Sequence, residues 1–289
     1  MMTGRCNKLS GFLLVLVLLL QACASRPVAV NSAEVSLGTG AGLDAGVGAA
    51  YIESKSSLQM FPAVRQVAAD LGLAAPSKQS GMSTLPVWQH YKFPGKQPTQ
   101  YSYTPVDGTP AVMASASSSA SMLRQSVRIE PALLRDVVFS WKVAQLIPGA
   151  DLALREAHDS PVRLVLAFEG DRGEFSMKNA MLSELSLTLT GEPMPYATLM
   201  YVWCNDCAKE ALYLSPRTDR IREIAVETGP ENVGRWLSYR RDVQADYLKA
   251  YGQPPGALVG IGIMTDTDNT RQSAVAWYGP ISLTTPSSK

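Results

Sequence analysis

The chain has 289 residues, of which 26 are Lys or Arg and 25 are Asp or Glu, giving a formal charge of +1. A balance so near zero, with no basic cluster, argues against nucleic acid as a partner. The length allows one large all-β domain with an extension, or two small domains.

Residues 1–22 read as an export leader. Arg5 and Lys8 supply the positive start, Gly11 to Leu20 form a ten-residue apolar run too short to span a bilayer as a helix, and small residues follow. Removing the leader leaves 24 basic residues, 26 less two, against 25 acidic. Leu20-Gln21-Ala22-Cys23 resembles the bacterial lipobox, in which the cysteine is joined to diacylglycerol and anchors the mature chain in the membrane. The alternative is ordinary cleavage after Ala22-Cys23-Ala24. Ala24, in place of Asp, implies sorting to the outer membrane under the lipoprotein reading.

Residues 23–85 are expected to tether the chain. Gly38 to Ala50 is a Gly/Ala-rich run with no period that would bury a face, so it reads as a flexible spacer. Between Ser57 and Leu73, Leu58, Phe61, Val64, Val67, Ala68 and Leu71 recur at helical spacing and predict one short amphipathic helix.

The folded domain is expected over 86–286. Short β segments are predicted at Tyr101 to Pro105, Ala111 to Ser115, Gln125 to Ile129, Val137 to Val143, Val162 to Phe168, Thr198 to Trp203, Arg222 to Val226 and Arg235 to Arg240. Alternation is clearest at Val137-Phe139-Trp141-Val143. Two helices interrupt the series. One is capped by Ser176, groups Met177, Ala180, Met181 and Leu185 on one face and stops before Gly191; the other is capped by Asp242 and carries Val243, Tyr247 and Tyr251. At the end, Ala257 to Met264 and Ala274 to Leu283 flank a polar turn, which predicts a hairpin with an acidic tip and a Gly-Pro kink in its second strand. Many short strands between turn residues predict an all-β fold, a β-sandwich or jelly roll with two short helical insertions.

Phe139-Ser-Trp-Lys-Val143 with Pro148-Gly-Ala-Asp-Leu152, Val162-Arg-Leu-Val-Leu-Ala-Phe168, Met200-Tyr-Val-Trp203, Trp236-Leu-Ser-Tyr-Arg-Arg-Asp242, Asp246-Tyr247 and Met264-Thr-Asp-Thr-Asp-Asn-Thr270 follow one another in an order that resembles the domain of unknown function 3047 family of exported bacterial proteins. The resemblance covers about Trp88 to Leu283. It implies a jelly-roll-like, galactose-binding-like sandwich, similar in outline to carbohydrate-binding modules, with no established activity. It also implies that the Cys204/Cys207 pair is a feature of this chain and not of a shared mechanism.

Several groups are candidates for chemistry. Cys204 and Cys207 lie three apart after a strand, and a bridge there would contribute on the order of 2 kcal/mol; free or redox-active thiols are the alternatives. His158 beside Asp159 has the residue types of a general base and its orienting partner, although a solvated loop explains them as well. Glu169, Asp171 and Glu174 could serve a glycosidase only if two of them faced one sugar, and otherwise form a solvated turn. Trp141, Trp203, Trp236 and Trp277 are read as core. Arg124 and Lys142, charged positions in apolar patterns, need partners, and Asp266 or Asp268 could supply them. Asp266, Asp268 and Asn269 at the tip fit an Asx-stabilised turn, a calcium site, or a direct ligand-binding or catalytic role. The functional expectation is a lipid-anchored, non-catalytic envelope module that binds a glycan or another envelope component, an envelope protein among the possible partners. A polysaccharide-active enzyme and an outer-membrane scaffold are the alternatives.

Overall fold

The computed structural model describes residues 65–67 and 88–284. The leader, Cys23 and the Gly/Ala-rich spacer lie outside the described residues. The described chain is an all-β sandwich with two α-helices, as the pattern of short strands predicts.

The first sheet is built from β1 (Arg65–Val67), β3 (Gln100–Tyr103), β4 (Val112–Ser117), β6 (Asp136–Val143), β11 (Leu237–Asp242), β13 (Ser273–Tyr278) and β14 (Ser282–Thr284). Its order is β1-β14-β6-β13-β4-β3, with β11 on the other edge of β6. The second sheet is built from β2 (Gln89–Lys92), β5 (Ala120–Ile129), β7 (Ser160–Phe168), β8 (Ala197–Cys204), β9 (Leu212–Leu214), β10 (Ile221–Thr228) and β12 (Leu258–Asp266), in the order β2-β5-β12-β7-β8-β10-β9.

The core follows from alternation. On β6, Val137, Phe139, Trp141 and Val143 are buried while the residues between them are half-buried. Phe139 is the hub: its ring lies 5.0 Å from Trp141, 5.3 Å from Tyr239 on β11 and 5.6 Å from Tyr201 on β8, so one cluster joins the two sheets. Such pairs add to the burial of apolar area that drives the sheets together.

Two expectations are corrected. Within the stretch expected as a helix, Arg65–Val67 is a strand that pairs in parallel with β14; the backbone groups of that sheet edge override the local periodicity. The last two strands do not form a hairpin ladder. Both edges of β12 are occupied, by β5 and β7, so β13 crosses to the other sheet and pairs with β4 and β6. The acidic tip is thus an arch between sheets.

The burial of α1 (Met177–Thr190) is set by polar contacts. Its ends are as predicted, since Ser176 Oγ accepts from the Asn179 N–H and Gly191 closes the helix in the left-handed conformation. Its apolar residues point the wrong way for a core helix: Met177 is 82% exposed and Met181 68%, whereas Asn179 is buried. The anchor is polar. Asn179 donates to Asp219 at 2.6 Å and accepts from Thr218 at 2.7 Å, which fixes the helix by its Asn side and leaves Met177 and Met181 outward. The second helix, α2 (Val243–Tyr251), behaves as expected, with Asp242 capping and Val243 and Tyr247 buried.

Candidate functional site

Helix α1 does not lie flat on the sandwich. Between it and the outer face of the second sheet is a cleft of about 740 Å³, within the range of small-molecule sites. The floor comes from outward positions of four strands: Met122 on β5, Gly260 and Met264 on β12, Ala167 on β7 and Met200 on β8. Leu182, Leu185 and Leu189 of α1 form the roof. A Cβ at Gly262 would come within 2.6 Å of Met122 Sδ and 3.1 Å of the Leu123 carbonyl, so a side chain there would push the flexible Met122 aside. At Gly260 a Cβ would make only ordinary contact, 3.4 Å from Ala167 Cβ, so its absence simply leaves the cleft open.

Charge is confined to the rim. Arg124 on β5 holds Glu192, just past the end of α1, with two bonds of 2.7 and 2.6 Å, and its guanidinium lies 4.2 Å above the Tyr91 ring. This bidentate pair latches the roof to the floor. The Arg124 hydrogen bond holds the Glu192 carboxyl below its ordinary range, against the effect of burial. A carboxyl lowered in the folded state contributes stability above its unfolded pKa and loses it as pH falls through the folded value. Amide protection factors in α1 are therefore expected to drop in acid, below about pH 4, before those of β6. Glu192→Gln should show the loosened helix already at neutral pH. Protection that is flat across this range, or unaltered in the variant, would remove the latch.

The residues singled out in the sequence fall into separate places. Arg124 pairs with Glu192, and Lys142 with Asp107 at 2.7 Å; neither meets Asp266 or Asp268. Asp266 instead receives Arg163 Nε at 2.9 Å, while Asp268 pairs with Lys96. Asn269 donates to the Arg155 carbonyl at 2.6 Å. Cys204 and Cys207 form a disulfide. Trp141 and Trp203 are core, whereas Trp236 and Trp277 are only half-buried. Cys23 lies outside the described residues.

His158 and Asp159 are buried, contrary to the solvated loop. Asp159 accepts from the backbone N–H groups of Asn269 and Thr270 and from the Thr270 hydroxyl, tying the arch down. Next to it Arg163 is 1% exposed and bonds Glu223 at 2.8 Å as well as Asp266. Sequence reasoning passed over Arg163, although a charge inside Val162-Arg-Leu-Val-Leu obeys the rule applied to Arg124. Asp159, Asp266 and Asp268 offer carboxylate oxygens within 4.8 Å of one another, a spacing that suits a hard cation. Arg163, Lys96 and the arch N–H groups already meet those oxygens, so the arrangement reads as a structural clasp.

Glu169, Asp171 and Glu174 do not converge. Glu169 pairs with Arg128 at 3.0 Å, Asp171 caps a short 3-10 turn, and Glu174 accepts from the Tyr196 hydroxyl.

A sequence model described as protein of unknown function (DUF3047) matches residues 86–282. The chain belongs to the DUF3047 family. The match takes in every strand that builds the cleft floor, together with α1 and the Arg124–Glu192 latch. No curated protein matches this DUF3047 chain. Among solved structures, one similar chain is the xyloglucanase domain of NopAA, a type three effector from Sinorhizobium fredii, in complex with cellobiose. It is 9% identical with a TM-score of 0.37, over 69% of this chain and 93% of that one. A likeness of that size bears on neither ligand nor reaction.

Proposed function

We propose that this DUF3047 protein is a non-catalytic binding module of the cell envelope, anchored through a lipid on Cys23, whose ligand occupies the cleft between α1 and the second sheet. The observation that carries the reading is the cleft itself: a mostly apolar space of ligand size whose floor is left open by Gly260 and whose rim is latched by the Arg124–Glu192 pair. The leader and the lipobox-like Cys23 support the envelope location. Charge speaks for binding over glycoside hydrolysis. The two carboxylates at the cleft, Glu169 and Glu192, are each paired with arginine, and Glu192 is held low where a general acid needs a raised pKa.

A test uses the full chain with Cys23→Ser, which removes the acyl group as a source of dye uptake. The neutral apolar dye Nile red should bind saturably, and Ala167→Phe, which fills the floor, should abolish the signal. Uptake equal in both chains would place the dye elsewhere and sink the reading.

A second reading, glycan binding on the first sheet, has its own observation. Trp277 faces outward beside Lys142, whose ammonium lies 5.8 Å from the ring centre, and half-buried Trp236 lies close by across Gly279. Half-exposed indole faces flanked by polar groups suit sugar stacking.

A further inference from the structure

Two properties of the cleft narrow its ligand. The first is the chemistry of its surfaces: thioether and alkyl groups make the floor and roof, from Met122, Met200 and Met264 below to Leu182, Leu185 and Leu189 above. The hydroxyls of Ser186 and Thr190 in the lining already donate to the Glu192 and Ser186 carbonyls, and methionine adapts its shape to a flexible apolar guest. The second is an unbalanced cation. Of the rim charges, Glu192 is taken by Arg124 and Glu169 by Arg128, while Arg172 is exposed and makes no ion pair among the described residues. Its Nε donates to the Met194 carbonyl at 3.1 Å, which fixes the side chain at the cleft and leaves its terminal nitrogens without a protein partner among those residues.

Resting on the cleft reading above, we propose that the ligand is a long-chain fatty acid, its alkyl chain between α1 and the sheet and its carboxylate on Arg172. A guanidinium fork matches a carboxylate bidentately. Size agrees: at roughly 30 Å³ for each water-sized group, about two dozen non-hydrogen atoms fill the cleft. That suits one long alkyl chain with a small head. The roof is accessible to such a guest, since Leu185 and Leu189 are 53% and 58% exposed and Met177 and Met181 extend the apolar surface outward.

The test again uses the full chain with Cys23→Ser, now titrated with cis-parinaric acid, an intrinsically fluorescent fatty acid. Binding is expected to be saturable and reversed by palmitate, with hexadecanol at least about tenfold weaker because it lacks the charge. Arg172→Ala should weaken cis-parinaric acid about tenfold and the uncharged Nile red much less. Ala167→Phe should remove binding; should that chain fail to fold, Leu185→Asp, on an exposed helix position, makes the same test. If Nile red is bound and palmitate does not compete, the fatty-acid inference is wrong and the cleft reading stands. Loss of both signals in the wild type overturns the two together. Hexadecanol equal to palmitate, or an Arg172→Ala chain of unaltered affinity, overturns the assignment of the head group.

Discussion

Arg163→Ala is expected to lose about 3–5 kcal/mol of stability, because it strips the cation from two buried carboxylates. Arg163 and Glu223 are each 1% exposed and Asp266 5%, so water cannot take over the role of the guanidinium. The loss should depend on pH in a particular direction. In the wild type, burial pushes Glu223 up, but the Arg163 charge and the His158 hydrogen bond outweigh it and hold the carboxyl below its ordinary range. Asp266 stands above its ordinary range, raised by burial and by Asp159 with Arg163 opposing. Without Arg163 both carboxyls rise. An acid whose folded pKa exceeds its unfolded one favours the folded state only while protonated, so stability falls as pH climbs from the unfolded value to the raised one. Urea unfolding at about pH 4 and pH 7 should therefore show the smaller deficit in acid. A deficit equal at both would mean that the charges are not what Arg163 supports.

Phe139→Ala should be nearly as severe, at about 3–5 kcal/mol, since it removes a large buried ring from the cluster that joins the sheets. For a domain of this size, that lowers the melting temperature by on the order of 10 °C. Phe139→Leu keeps most of the volume and should cost less than about 1.5 kcal/mol. Calorimetry on the two variants checks the ranking, and a leucine chain as weak as the alanine chain would show that ring geometry, not filled space, is what matters there.

These two residues differ in how far the sequence betrays them. Phe139 sits in an alternating run whose inward side is unmistakable, and the same signal locates most strands; caps at Ser176 and Asp242 likewise locate both helices. Arg163 is hidden in an apolar run, and only its burial between Glu223 and Asp266 reveals why the charge is tolerated. β2 left no trace because its four residues are mostly exposed and owe their conformation to pairing with β5. The docking of α1 is invisible for a related reason: Asn179 holds the helix through Asp219 and Thr218, contacts that no periodicity records. The cleft is harder still to foresee. It gathers residues from four floor strands, the helix and the segment after it, and each looks ordinary in its own segment.

The arch between β12 and β13 has a consequence for the order in which the molecule can be made. β12 fills the gap between β5 and β7, and β13 fills the gap between β4 and β6, so the interior strands of both sheets are among the last to leave the ribosome. A nascent chain ending before Leu258 holds each sheet in two parts, β2-β5 and β7-β8-β10-β9 of the second and β3-β4 and β6-β11 of the first, and closing them needs contacts more than a hundred residues apart. Such a chain stays open until synthesis is nearly complete. Until then its open strand edges are what a chaperone must shield.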